Sequence, residues 1–129
     1  MLEQAADFRE ESEVLYELLA SLSEDDFSRP TLFKDWTAND ILGHLHWGNM
    51  QADNSLNDEA RFLERFTVMK ELRESGAGMS MPAATRVMMD GLAGKALLEA
   101  WREFYGPMSD RFAAADPKKR VKWVGPDMS

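Results

Sequence analysis

Two histidines and no cysteine make the inventory of reactive side chains short. Both imidazoles lie in one segment, ILGHLHWGN, as His44 and His46. Imidazole ligates divalent metals and moves protons near neutral pH, so metal binding and general-base work are the chemistries on offer. Two positions apart on a helix the rings stand about 200° apart around the axis, so the pair cannot hold one metal together. Periodicity groups His44 with Ile41, Leu45 and Gly48, on a face expected to point into a helical core. His46 is expected to project to the surface beside Asn49 and Met50. His44 reads either as a core histidine bonded to backbone or to Asp40, or as a metal ligand or general base. Asp40, one turn earlier on the same side, either orients the imidazole from behind or caps the helix that opens at Thr37. Gly48, one turn after His44, costs a helix about 1 kcal/mol against Ala. Close helix packing, or open volume above the His44 ring, would account for it.

Other chemistries fall away. Without Cys there are no disulfides, thiolate metal sites, iron–sulfur clusters or catalytic thiols, and the composition fits a reducing cytoplasm. No GxGxxG, GxxxxGK[ST] or GxSxG occurs, and neither H-E-x-x-H nor E-x-x-x-H is present. Residues 1–60 carry 14 acidic and 3 basic side chains, and residues 61–129 carry 9 and 12. An acidic first half and a mildly basic second half argue against nucleic-acid binding, which is built on clustered Lys and Arg. No apolar run reaches the ~20 residues that span a bilayer. The acidic start, MLEQAADFREESE, is not a signal peptide.

The elements that must position these residues are helical. The chain has 129 residues, 44% of them hydrophobic, which suits one domain with a real core. Ala5, Phe8, Ser12, Leu15, Leu18, Leu19 and Leu22 give an amphipathic helix over 2–22, with acidic residues crowding its first half. Residues 23–36 read as a loop packed down by Phe27, Phe33 and Trp36. Thr37 opens a second helix running to about Asp53, and 54–57 read as a turn. A helix near 58–73, a linker at 76–82 and a helical segment at 83–89 follow. The last clear helix runs from Gly94 to about Ala115, with a kink or interruption expected at Pro107. Residues 116–123 read as a basic turn, and Val121–Val124 is too short a β-like stretch to build a sheet. Four Trp and nine Met suit a plastic core or a soft-lined pocket. The fold class expected is an all-α antiparallel bundle.

The segment DFREESEVLYELLASLSEDDFSRPTLFKDWTANDILGHLHWGN resembles the start of the DinB-like superfamily. It is closest to the branch of mycothiol-dependent maleylpyruvate isomerases and their metal-binding relatives. The residues that carry the likeness are Trp36, Thr37, Asp40, His44 and Leu45 in FKDWTANDILGHLHW. LLEAWREFYGPMSDRFAAADP and the ending DPKKRVKWVGPDMS resemble the stretch before the last bundle helix in one subgroup. The resemblance implies a four-helix bundle holding a divalent metal, with zinc or nickel the leading candidates. His44 would be the first ligand, Asp40 a supporting carboxylate, and a low-molecular-weight thiol a possible cofactor. The family's other two ligands form an E-x-x-x-H or H-x-x-x-H pair on the final helix, which has no counterpart here. The expectation is therefore a single helical domain over 1–129, the N-terminal part of a longer DinB-like domain, lacking the last helix. Its function would be metal-dependent chemistry on a thiol cofactor or water with a small-molecule substrate. The alternative is a non-catalytic helical binding or dimerisation domain without the metal site. An apolar groove left by a missing helix would favour a homodimer. The expected location is the cytoplasm.

Overall fold

A computed structural model describes residues 2–76 and 78–114, with side chains described from Asp7 onward. The expectations for 115–129 fall outside these residues, the basic turn at 116–123 and the stretch Val121–Val124 among them. The described residues form six helices: α1 (Leu2–Ala20), α2 (Glu24–Phe27), α3 (Ala38–Asn57), α4 (Glu59–Glu74), α5 (Met81–Met89) and α6 (Gly94–Ala114). No helix among them is long and apolar enough to cross a membrane.

Local chemistry sets the boundaries. Ser23 and Asp26 form a reciprocal capping box that turns part of the expected loop into the short helix α2. Thr37 and Asp40 form a second box at the start of α3. The expected turn at 54–57 is instead the last turn of α3. Ser55 bonds back to the Ala52 carbonyl and Asn57 to Asp53, so local side chains satisfy the helix end. Asp58 then caps α4 directly, accepting from the Arg61 N–H. Ser80 caps α5, with Pro82 in the first turn where its missing N–H costs nothing. Pro107 does not interrupt α6. Both Pro107 and Glu103, whose carbonyl loses its partner, are exposed, so water can serve that carbonyl. Gly94 opens α6 at φ +59, where a Cβ would collide with the Glu24 carboxylate. That carboxylate accepts from the Lys95 N–H, and Asn39 Oδ1 accepts from the Gly94 N–H at 2.7 Å.

Trp101, Tyr105, Leu97, Leu98, Leu42 and Phe27 form the buried centre. Helix α1 runs antiparallel to α6. Phe8 meets Tyr105 edge-on, Arg9 pairs with Asp110, and Tyr16 donates to Glu99. Helices α3 and α6 run in the same direction, joined through α4 and α5. Gly94 meets Asn39, Phe104 meets His46, and Arg111 meets Asp53. Helices α4 and α5 pack against α3 and against each other. Among the described residues, α1 approaches no long helix except α6.

Candidate functional site

The structure reverses the expected assignment of the two imidazoles. His46, expected on the surface, is 6% exposed and meets Phe104 edge-on at 5.7 Å between centroids. Its burial pushes the imidazole pKa below the ordinary histidine value. His44, expected in the core, is half-buried, as are Ile41 and Gly48, and Leu45 is exposed. The physical reason is which helices surround α3. Its Leu42 and His46 side meets α6, and its Gly43 side meets Thr85 and Met89 of α5. Of the stripe Ile41, Leu45, Gly48 and Ala52, Leu45 is exposed, and Gly48 borders a cavity walled by α4 and the start of α5.

His44 is nevertheless held. Trp36 packs edge-on against its ring at 5.7 Å between centroids. Trp36 comes from the FKDW segment just before α3. His44 lines a cavity of about 630 Å³ with Trp47, Gln51, Phe66, Met69 and Met81. Lys70, Arg73 and Glu74 border the same cavity. His44 Nδ1 is buried and has no hydrogen-bond partner among the described residues. The bond to backbone or to Asp40 that a structural core histidine would make at that nitrogen is therefore not formed there. A Cβ at Gly48 would meet nothing within 4 Å. Of the two explanations for this glycine, open volume beside His44 fits.

Asp40 is engaged elsewhere. Its Oδ2 accepts from the Thr37 N–H at 3.0 Å, closing the capping box. Arg86 of α5 binds both carboxylate oxygens, at 2.8 and 2.9 Å. Burial alone would raise the Asp40 pKa, but the bonds from Arg86 and Thr37 hold it below the usual carboxylate value. Asp40 and Arg86 border a separate cavity of about 380 Å³ with Thr85 and Met89. No hydrogen bond joins Asp40 to His44, so the supporting-carboxylate role is not made in this arrangement. Arg86 lies 46 residues away, and no local pattern announces it.

Among the described residues, no three His, Asp or Glu side chains converge as a metal site would require. A zinc centre takes about three protein ligands. The described residues thus fit one position of such a centre and leave the others unfilled. Trp47, Gln51, Phe66 and Met69 are wall residues that sequence periodicity did not single out as a group. Gln51 is 2% exposed, donates to the Phe62 carbonyl and accepts from Asn54, which ties α3 to α4 along the cavity.

Comparison with known proteins gives the family context. The sequence profile of the mycothiol maleylpyruvate isomerase N-terminal domain matches residues 8–129. Two uncharacterised proteins from two strains of Mycobacterium tuberculosis are each 33% identical over 124 residues. That match covers 96% of this chain and 46% of each relative, so the chain spans about half the length of the curated relatives it matches. No solved structure matches. With a bundle of helices, a His-Leu pair on α3 and a family match over nearly its whole length, the chain belongs to the mycothiol maleylpyruvate isomerase N-terminal domain family.

Proposed function

We propose that this chain contributes His44 to a divalent-metal centre, zinc or nickel, in an enzyme that works with a low-molecular-weight thiol. The remaining ligands would come from outside the described residues. The observation that carries this reading is the His44 ring, fixed by Trp36 at the wall of a sizeable cavity with Nδ1 buried and unbonded. Family membership supports the same reading. A bound metal would supply Lewis-acid activation of a thiol or water. The chain's own residues do the rest. Trp36 limits rotation of the imidazole. Phe66, Met69 and Met81 shield the cavity from water. Lys70 and Arg73 attract an anionic group to its border. A cytoplasmic location belongs to the same proposal and rests on the cysteine-free composition.

Cobalt(II) titration followed by paramagnetic broadening in NMR tests the ligand assignment in the chain as it stands. Broadening should centre on His44, vanish in His44→Ala and survive in His46→Ala. Broadening centred elsewhere, or unchanged in His44→Ala, would overturn it.

The outer face of α3 favours a second reading, a homodimerisation domain. Leu45 is exposed there beside half-buried Ile41 and Ala52, and Val14 and Leu18 of α1 are also exposed. Sedimentation velocity should then show a dimer that Leu45→Glu dissociates. A monomer at all concentrations would refute this reading.

A further inference from the structure

A third cavity lies behind Trp47, where α3, α4, α5 and α6 meet. It measures about 300 Å³, enough for one fused-ring molecule. Met50, Met88 and Phe104 give it an apolar lining, and Arg61 and Arg65 stand over it one turn apart on α4. Like charges at that spacing repel on a helix. Neither guanidinium forms an ion pair among the described residues. Asp53 also borders the cavity, but its carboxylate already accepts from Arg111 at 2.7 Å and from Asn57. The indole of Trp47 lines the cavity too, and its Nε1–H is buried with no partner among the described residues. Two guanidiniums without an ion pair therefore stand over a soft apolar floor.

We propose that this cavity is a ligand site separate from the His44 cavity, and that it takes a monocarboxylate carried on an aromatic or similarly sized apolar body. Guanidinium groups match a carboxylate in shape and bond it bidentately. The Met and Phe floor accepts the ring. Asp53 at the border favours one negative charge over the two of a phosphate monoester. The ligand relieves the repulsion between Arg61 and Arg65, and the Trp47 ring, which lines the cavity, reports its arrival. Trp47 and Gln51 line both cavities and form the partition between them. The proposal does not rest on metal at His44.

The test is titration of 15N-labelled chain with 2-naphthoate, following the indole Nε1–H resonance of Trp47, assigned with Trp47→Phe. The resonance should shift saturably. The neutral isostere 2-naphthamide and the double variant Arg61→Gln/Arg65→Gln should each weaken binding by about tenfold or more, the scale of losing charge-assisted bonds. Arg61 is exposed and Arg65 half-buried, so the variant should keep its other amide resonances in place. Equal binding of acid and amide would overturn the proposal. So would 2-naphthyl phosphate binding tighter than 2-naphthoate. Binding that survives the Arg61/Arg65 change but is lost in Lys70→Gln/Arg73→Gln would place the ligand in the His44 cavity and overturn it as well.

Discussion

The two sides of α3 differ in a way that runs against simple burial. Toward α6 the helix buries Leu42, His46 and Asn49, and toward α4 it buries Gln51 and Ser55. The outer side carries Ile41, Leu45, Gly48 and Ala52, with Leu45 37% exposed and the others half-buried. Buried polar groups are tolerated where bonds satisfy them. Gln51 and Ser55 find bonds with Phe62, Asn54 and Ala52. His46 Nδ1 and Asn49 Nδ2 find none among the described residues. The inner side is therefore held together by a few large apolar groups from α6, with polar groups fitted around them. Within the stripe, Gly48 borders the His44 cavity beside α4, and Leu45 is the exposed member.

One substitution made twice on the same helix separates the sides most sharply. Leu42→Ala removes a side chain that is 1% exposed, at the centre of the core. It should cost about 2–5 kcal/mol. Leu45→Ala, three residues later and exposed, should cost less than about 1 kcal/mol. Urea unfolding of the two variants measures both. Equal losses would mean that the outer side is covered in solution, and would strengthen the dimer reading over the isolated bundle.

Next in size is the junction where α3 begins. Asp40→Ala removes one half of a capping box and both bonds to Arg86, and should cost about 2 kcal/mol at neutral pH. Arg86→Gln should cost less, because its side chain is 63% exposed and water replaces part of what it loses. The pH dependence has a defined sign. The folded-state pKa of Asp40 lies below the ordinary carboxylate value, so between the two values the unfolded chain binds more protons. The contribution is whole above an unfolded pKa of about 3.9 and is lost as pH falls through the folded value. Acid unfolding of Asp40→Asn should begin from a lower stability and show a shallower limb.

Helix existence was legible throughout, because periodicity and capping residues are local signals. Thr37 with Asp40 announced α3, and Leu97, Leu98 and Trp101 announced α6. What failed was the direction each face of α3 takes. The stripe Ile41, His44, Leu45 and Gly48 has the spacing of a core face, and only the placement of α4 and α5 reveals that His44 and Gly48 border a cavity while Leu45 is exposed. The short helix α2 was missed because Ser23 and Asp26 sit in a stretch where Pro30 signals a loop. Of the candidate site, His44 and the open space at Gly48 were legible. The Asp40–Arg86 pair, the Trp47 partition and the Arg61/Arg65 pair were not, since tertiary packing alone brings them to their cavities.

Gly48 gives a smaller effect of opposite sign. With nothing within 4 Å of a Cβ there, Gly48→Ala should stabilise the chain by about 0.5–1 kcal/mol through reduced backbone entropy. Thermal unfolding checks the gain. A loss instead would show that the outer side is packed at this point in solution, as a covering helix or second copy requires.

The smallest effect at neutral pH, and the finest test of the side that meets α6, comes from His46. Burial lowers the folded-state pKa of His46, so the folded chain resists the proton that the unfolded chain takes up near pH 6.5. Above that pH both states are neutral at this ring and it contributes no slope. As pH falls below it, the unfolded state gains protons first and stability declines until the folded-state pKa is passed. His46→Leu fills the same space beside Phe104 without a titrating group, so stability between pH 7 and pH 5 should flatten. A slope that persists unchanged in His46→Leu would mean that this ring is not buried against Phe104 in solution.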